Sequence, residues 1–404
     1  MLKVGIGHAE TGKEAGQQAM EGLQKPKLSI VFFSSNLNPN EVYDEVREVI
    51  PTGYIIGCST AGELSNLEGY KENSVAVLTL ESPMLKVGVG IGTNLSENPI
   101  KAGETACISA YKDITSDPTL ASFLFLGYLK SKNLNYMNIN PFHSIIIPDG
   151  LAGVEESCMR GIVQKMGRNI NIVGGSSGDD LKFKRTYQIC NGVYTNSVVF
   201  SILCGFKMGT GMTHPYIPTD KGFIVTKSKN RCVYELDGQP ASEVLKDTLK
   251  VKNLTPQVFA DNPLGVRACD VFGEYTIKSI MMENPDKSLT FYSEVPENIY
   301  LNLMTTNKKI AEERFKKALE NTISSVCKKE DVACIIVFNC ILRYLLNKEL
   351  GIDDIKLIRE VVGDDVPVIG FNTYGEQGAT RGGSLGHYNQ TATILVISKN
   401  PLSK

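Results

Sequence analysis

The sequence predicts a mixed α/β fold, with parallel and antiparallel sheets covered by helices. The fold is built from an internal repeat of strand, helix, strand, helix, strand, Gly-rich loop and strand. Three observations lead there. The stretch "YIIGCSTAGEL" (54–64) returns as "PVIGFNTYGEQG" (367–378) and, more loosely, as "NIVGGSSGDDL" (171–181). A β-branched run follows each copy: "NSVAVLTL", "NSVVFSIL" and "NQTATILVI". An amphipathic helical pattern precedes each copy, and a buried-looking strand precedes that helix. One Gly-Ser-Thr turn means little, but three in the same element order point to duplication.

Taken in order, the units open with "LKVGIGH", "LKVGVGIGTN" and "YLNLMTTN". A helix follows each opening: "GKEAGQQAMEGLQ", "KAGETACISAYKDI" and "KKIAEERFKKALENTI". The buried strands are "LSIVFFSS", "HSIIIPDG" and "ACIIVFNC", and the second helices are "NEVYDEVREVI", "VEESCMRGIVQKM" and "DDIKLIREVV". Apolar periodicity separates the two classes, with a period of 3.6 for helices and short β-branched runs for strands. The copies span about 1–83, 84–204 and 299–398. The last strand of one unit runs closely into the first strand of the next through "ESPM", which predicts an antiparallel pair and hence mixed sheets. A layered α-β-β-α arrangement, two sheets face to face between helix layers, suits the repeat.

A different segment lies between copies two and three. "KGFIVTKSKNRCVYELDGQP" predicts two strands around "KSKN", followed by a helix from near Pro240. "EYTIKSIMMENPDKSLTFYSEV" predicts another hairpin, turning at "ENPDKS". Prolines and turn residues cluster at 213–222. The expected organisation is an N-terminal domain over 1–219 and a C-terminal domain over 220–404. The second would combine the 220–298 segment with the third unit.

At 404 residues the chain can bury a large core. Its net charge of -2 provides no field to attract nucleic acid or an anionic membrane. No apolar run approaches the roughly 18 residues a membrane helix needs, and the N-terminus lacks a signal-peptide pattern. The 10 cysteines are scattered without a C-x-x-C pair. They read as reduced core residues of a cytoplasmic protein. The four histidines show no metal-ligand spacing, so no metal is expected. Haem needs only one axial ligand, so histidine spacing leaves it open.

The chemistry converges on the Gly-rich loops. Their hydroxyls and carboxyls (Ser59, Thr60 and Glu63; Ser176, Ser177 and Asp180; Thr373 and Glu376) can bond a ligand or merely their own turn. The third loop adds Tyr374 as a stacking face, with Arg381 nearby. Cys340 and Arg343 follow a predicted strand whose loop should emerge at the same sheet edge, and His387 and Asn389 enter the last strand. Ligands in open α/β sheets bind beyond the carboxyl ends of such strands. This places a pocket at Arg343, Thr373, Tyr374, Glu376 and Asn389. Arg343 would hold an anionic group and Glu376 a cationic one, as suits a zwitterion.

Two motifs are decoys. "GHAETGKE" (7–14) nearly matches a phosphate-binding loop, but Glu14 replaces the hydroxyl that should hold magnesium. "GGSSG" (174–178) matches a nucleophile elbow, but no helix follows the serine. No catalytic residues are expected. The enzyme alternative would be a hydrolase or transferase using Cys58, Ser176 or Cys340.

Together, "IGCSTAGEL", "NIVGGSSGDD", "VTKSKNRCVYELDGQPASEVL", "VFNCILR" and "IGFNTYGEQG…LGHYNQTATIL" resemble the FIST sensory family, with its N-terminal and C-terminal domains, over nearly the whole chain. The resemblance implies a bacterial or archaeal small-ligand sensor with an amino acid or similar metabolite as ligand. It also implies a signalling partner such as a histidine kinase or cyclase. Some members are linked to haem and nitric oxide, which makes a haem-binding gas sensor the alternative. This chain ends at Lys404 just after its last predicted strand, so the expectation is a stand-alone sensor.

Overall fold

The opening strands explain the architecture. In β1 (Lys3–Ala9), Gly5 and Gly7 lie two apart on one face, and a Cβ on either would fall about 2.0 Å from a carbonyl oxygen of helix α1 (Gly12–Ala19). The missing side chains let the helix settle directly on the strand. The chain continues through β2 (Leu28–Ser34), α2 (Pro39–Val49), β3 (Tyr54–Thr60), the short hairpin β4 (Glu63–Ser65) and β5 (Gly69–Lys71), and β6 (Val75–Glu81). The computed structural model describes residues 1–121, 141–168, 170–269, 271–383 and 385–402.

The second unit repeats this order. It comprises β7 (Lys86–Thr93), α3 (Pro99–Thr115), β8 (His143–Pro148), α4 (Glu155–Met166), β9 (Asn171–Gly175), the hairpin β10 (Gln188–Cys190) and β11 (Val193–Tyr194), and β12 (Ser197–Cys204). Then comes β13 (Phe206–Thr213), which opens the third sheet.

An insertion interrupts the third unit at this point. Its sheet is built from β14 (Ile217–Lys229), β15 (Cys232–Leu236), β16 (Gln239–Pro240), β17 (Leu264–Arg267), β18 (Tyr275–Lys278), β19 (Ile280–Glu283), β20 (Leu289–Phe291) and β21 (Tyr300–Thr305). Helices α5 (Ala241–Leu249) and α6 (Pro256–Asp261) belong to it. The third unit then resumes with α7 (Lys308–Ser324), β22 (Val332–Cys340), α8 (Ile341–Leu350), α9 (Asp354–Val362), β23 (Val368–Thr373), the hairpin β24 (Glu376–Ala379) and β25 (Leu385–Tyr388), and β26 (Ala392–Pro401).

The mixed α/β class expected from the sequence is the one found. The opening strand of the third unit is a correction. "YLNLMTTN" does form β21, but that strand pairs with β14 and β17 inside the insertion. The strand equivalent to β1 and β7 is β13, whose "KMGTG" carries the same alternate glycines.

The three main sheets share one strand order: β1-β6-β2-β3-β10-β11, β7-β12-β8-β9-β24-β25 and β13-β26-β22-β23-β4-β5. The first four strands of each come from its own unit. The last two are a hairpin lent by another unit, in a closed cycle. Unit one completes the third sheet, unit two the first, and unit three the second.

The inner faces of all three sheets meet in one core. Leu28, Ile30 and Phe32 pack with Ile145 and Val173 and with Ile336, Phe338 and Phe371. Each outer face carries its own helix layer in a separate cluster. Each sheet therefore still packs on sheet inside and on helices outside, but three sheets surround the core where two were expected. Three units with one apolar inner face apiece cannot close as a two-sheet sandwich. The insertion keeps a core of its own around Phe223, Leu236, Phe259 and Phe291.

Candidate functional site

The Gly-rich loops leave the carboxyl ends of β3, β9 and β23 and meet one another. Gly178 donates its N–H to the Ser59 carbonyl (3.0 Å), Ala61 to that of Asn372 (3.1 Å), and Tyr374 to that of Ser176 (3.0 Å). These bonds close a ring. The glycine that starts each motif has one role throughout. Gly57, Gly174 and Gly370 pair in register with Val31, Ile146 and Val337.

Register also identifies the equivalent polar residues. Glu63 lies opposite Phe371, Glu376 opposite Gly175, and Gln188 opposite Cys58. Gln188 is therefore the counterpart of Glu63 in the second loop, and the expected counterpart Asp180 is not. Asp180 instead accepts from Ser34 Oγ (3.1 Å) and Ser35 Oγ (2.6 Å). The second loop is longer, which displaced the sequence alignment by several residues.

Each of the three residues bridges two hydroxyls. Glu63 bonds Thr60 and accepts from Ser74 Oγ (2.6 Å). Glu376 bonds Thr373 and accepts from Thr391 Oγ1 (2.5 Å). Gln188 donates to Ser177 Oγ (2.7 Å) and accepts from Ser197 Oγ (2.8 Å). Burial pushes both carboxyls up to about 8, against the opposing hydrogen bonds, so they are mostly protonated at neutral pH. A neutral Glu376 offers no anion to an ammonium group. Ser74 also contacts His8 Nε2 (2.8 Å), and Ser65 contacts its Nδ1 (2.7 Å). Burial lowers the His8 pKa to about 4, so the ring is neutral.

The other predicted residues are distributed as follows. Arg343 makes a bidentate ion pair with Asp354 (2.9 and 2.8 Å), bonds Asn339, and lies 4.6 Å over the Phe315 ring. Its guanidinium is committed inside the protein, so it does not face Glu376 across an open pocket. Tyr374 donates to Asp179 (2.6 Å), accepts from the Leu181 N–H (2.7 Å) and stacks on Phe183. Arg381 pairs with Glu274. Cys340 caps the start of α8 but is buried, and burial drives its thiol pKa far up, as it does for Cys58. Ser176 Oγ accepts from Gln377 Nε2 (2.9 Å). None of the nucleophile candidates is both exposed and activated.

His387 and Asn389 lie elsewhere, on the seam where the insertion meets the second sheet. The His387 ring packs on Gly375, where a Cβ would fall 2.2 Å from Cε1, and its Nδ1 lies 3.0 Å from Gln377 Nε2. Burial lowers its pKa, and Glu155, Glu156, Arg231 and Lys278 all act on it. Arg231, in the β14–β15 turn, grips Glu155 (2.8 Å) and Glu156 (2.6 Å) at the start of α4. Lys278, at the end of β18, donates to Ser293 Oγ (3.3 Å) and the Glu294 carbonyl (2.8 Å). Gln390 bonds Ser279 (2.7 Å) and Tyr216 (2.7 Å).

Sequence reasoning missed Lys278, Arg231, Glu155, Glu156 and Gln377. Only Gln377 carried a signal, being polar where the sibling hairpins have Leu64 and Ile189.

A groove of about 560 Å³, lined by residues including Lys207, Glu320, Cys327 and Asn400, contains none of the predicted residues. Among the described residues, no group of three or more His, Cys, Asp or Glu side chains is arranged to hold a metal, and no helix is long and apolar enough to cross a membrane.

Comparison with known proteins adds the family. The FIST N domain model matches residues 27–239 and the FIST C domain model 241–379. An uncharacterised protein of Methanocaldococcus jannaschii is 27% identical over 412 residues, covering 90% of this chain and 72% of its own length. Two solved structures show weaker likeness. A cyanuric acid hydrolase from A. caulinodans is 7% identical with TM-score 0.38, over 99% of this chain and 100% of that one. T. maritima PurL complexed with FGAR is 10% identical with TM-score 0.21, over 99% and 73%. At those scores neither structure bears on fold or activity. The domain matches span most of the sequence, and the chain belongs to the FIST family, whose domains are associated with sensory and signalling roles.

Proposed function

We propose that this protein is an intracellular sensor that binds a small metabolite, an amino acid or a close analogue, and passes its bound state to a signalling partner such as a histidine kinase or cyclase. One observation carries the reading. The insertion has its own apolar core and meets the main body in two places, through an apolar contact of Tyr216, Ile277 and Met304 with Leu346 and through a seam of charged and amide side chains around His387. A polar seam between two separately packed bodies can hold a polar ligand, and a ligand there changes how the bodies sit.

Binding is favoured over turnover by the state of the nucleophile candidates. Cys58 and Cys340 are buried thiols, and Ser176 is tied to an amide. All 10 cysteines are free, which suits a reducing compartment. The test is a thermal-shift screen of the full chain against the amino acids and related metabolites, with the responding compound recovered and weighed by mass spectrometry. A saturable rise in Tm with the compound recovered unchanged is expected. Consumption of the compound would make the protein an enzyme, and no response across the screen would remove the sensory reading.

A further inference from the structure

The second Gly-rich loop carries a segment that its siblings lack. Residues 61–62 and 374–375 suffice to join β3 to β4 and β23 to β24, whereas residues 176–187 join β9 to β10. The extra chain is firmly held. Buried Asp179 accepts from Tyr374 Oη (2.6 Å) and from the N–H groups of Phe183 (3.0 Å), Lys184 (2.6 Å) and Arg185 (3.0 Å). Lys182 donates to Ser35 Oγ (2.9 Å) and bonds Asn36. Asp180, Leu181 and Phe183 take left-handed φ angles of 55°, 59° and 50°, a costly conformation for Leu and Phe above all. The product is "LKFKR" (181–185), with every residue exposed, Leu181 at 41% and Phe183 at 59%. Lys182 pairs with Asp180 (3.7 Å), but Lys184 and Arg185 form no ion pair among the described residues. Strain and a buried carboxylate are spent on holding apolar and cationic side chains out in water, which marks a contact surface.

The opposite charge lies on the same face. β1 runs parallel to β2, since both pair antiparallel with β6, and β2 runs parallel to β3. Glu10 after β1 and Ser35 and Asn36 after β2 therefore leave the same sheet edge, where Lys182 ties the loop down. Asn36 donates to Asn73, the neighbour of Glu72. Beyond this asparagine bridge, Glu10, Glu14 and Glu72 are exposed. The cations among them, Lys13 and Lys71, are held by Glu48 and Glu68 (both 2.9 Å), and Glu10 adds to the field at Lys71. The rim is thus acidic after its own pairs are counted. Tyr344 lies beside it, stacked against Tyr70 (4.5 Å), with its pKa raised by burial and by Glu72. Leu345, 44% exposed, follows it.

We propose that two copies of the chain associate through this face, about a twofold axis near the Asn36–Asn73 bridge. Leu181 and Phe183 of each copy cover Tyr344 and Leu345 of the other, and Lys184 and Arg185 meet Glu10 and Glu72. A face that carries both halves of a charge pattern side by side is self-complementary, as an isologous contact requires. The same arrangement disfavours a lipid surface. The acidic rim would confront anionic headgroups, and the Phe183 ring lies on Tyr374 instead of projecting. The inference is independent of the sensory reading above.

Sedimentation equilibrium of the full chain tests this, from about 1 to 100 µM and in about 50 mM and 500 mM salt. A monomer–dimer equilibrium is expected, weaker at the higher salt. Phe183→Ser should weaken it at least tenfold while circular dichroism stays unchanged. Two surface charge reversals, Lys184→Glu with Arg185→Glu and Glu10→Lys with Glu72→Lys, should each do the same. The sharpest sample mixes the two reversals. Each repels itself, but together they should form a one-to-one dimer, because opposite charges then meet at both contacts. The surface is refuted if the parent stays monomeric to about 100 µM, if the variants dimerise as tightly as the parent, or if the mixed reversals stay apart. Sedimentation of a monomeric parent with phosphatidylcholine–phosphatidylserine vesicles, lost in Phe183→Ser, would assign the loop to a lipid surface and also overturn the proposal.

Discussion

Replacing Glu63 or Glu376 by glutamine should make the protein more stable at alkaline pH, because the second loop already uses glutamine there. Gln188 bridges Ser177 and Ser197 just as Glu63 bridges Thr60 and Ser74. Burial raises each carboxyl from an ordinary value of 4.5 to about 8. The folded state therefore keeps a proton that the unfolded chain has released. Stability from these groups is greatest below pH 4.5, falls as pH rises to about 8, and is flat above. One unit corresponds to about 1.4 kcal/mol, so at pH 8 each carboxyl weakens the fold by on the order of 3–5 kcal/mol relative to pH 4.5. Glutamine carries no such penalty and offers the same donor and acceptor. Urea unfolding at pH 5 and pH 8 reads the effect. Glu63→Gln should be close to the parent at pH 5 and more stable by roughly 3 kcal/mol at pH 8. Equal destabilisation at both values would refute the protonated-carboxyl argument.

Three further outcomes follow from the same geometry. His8 is buried and neutral with a pKa near 4, so the unfolded chain binds the extra proton between pH 6.5 and 4 and stability falls as pH drops through that window. His8→Gln should flatten that part of a Tm-against-pH curve by roughly 3 kcal/mol equivalent. Arg343→Met should cost about 3–5 kcal/mol in urea unfolding by stranding Asp354, and adding Asp354→Leu should recover much of it. Separate fragments 1–239 and 241–404 should each give the circular dichroism of a largely unfolded chain and regain structure when mixed. The first lacks the strands that pair with β13 and the β4–β5 hairpin, and the second carries a β24–β25 hairpin whose partner β9 is missing.

The elements of the three units were legible because each buries a face with a clean period. β2 alternates Ile30 and Phe32 toward the central core with Val31 and Phe33 toward the helices, and α9 shows the matching helical stripe. The exchange of hairpins was not legible. β4, β10 and β24 are only three or four residues long, and no local pattern says which sheet edge they join. β13 was overlooked because the insertion separates it from the rest of its unit, and the use of its alternate glycines, a flat face for α7, is set by tertiary packing. At the site, Arg343 and Glu376 were read as ligand groups from charge and position. Their partners Asp354 and Thr391 come from other elements, so only the fold reveals that they are satisfied.

The seam is where the account places sensing, and hydrogen–deuterium exchange of the full chain reports on it directly. The comparison is between the free protein and the protein saturated with a compound that raises its Tm. The account predicts slower exchange in residues 275–279 and 385–390 and in the 229–233 turn, with the outer helices of the first unit unchanged. Protection confined to the groove around Lys207 and Asn400, with the seam exchanging as before, would contradict it.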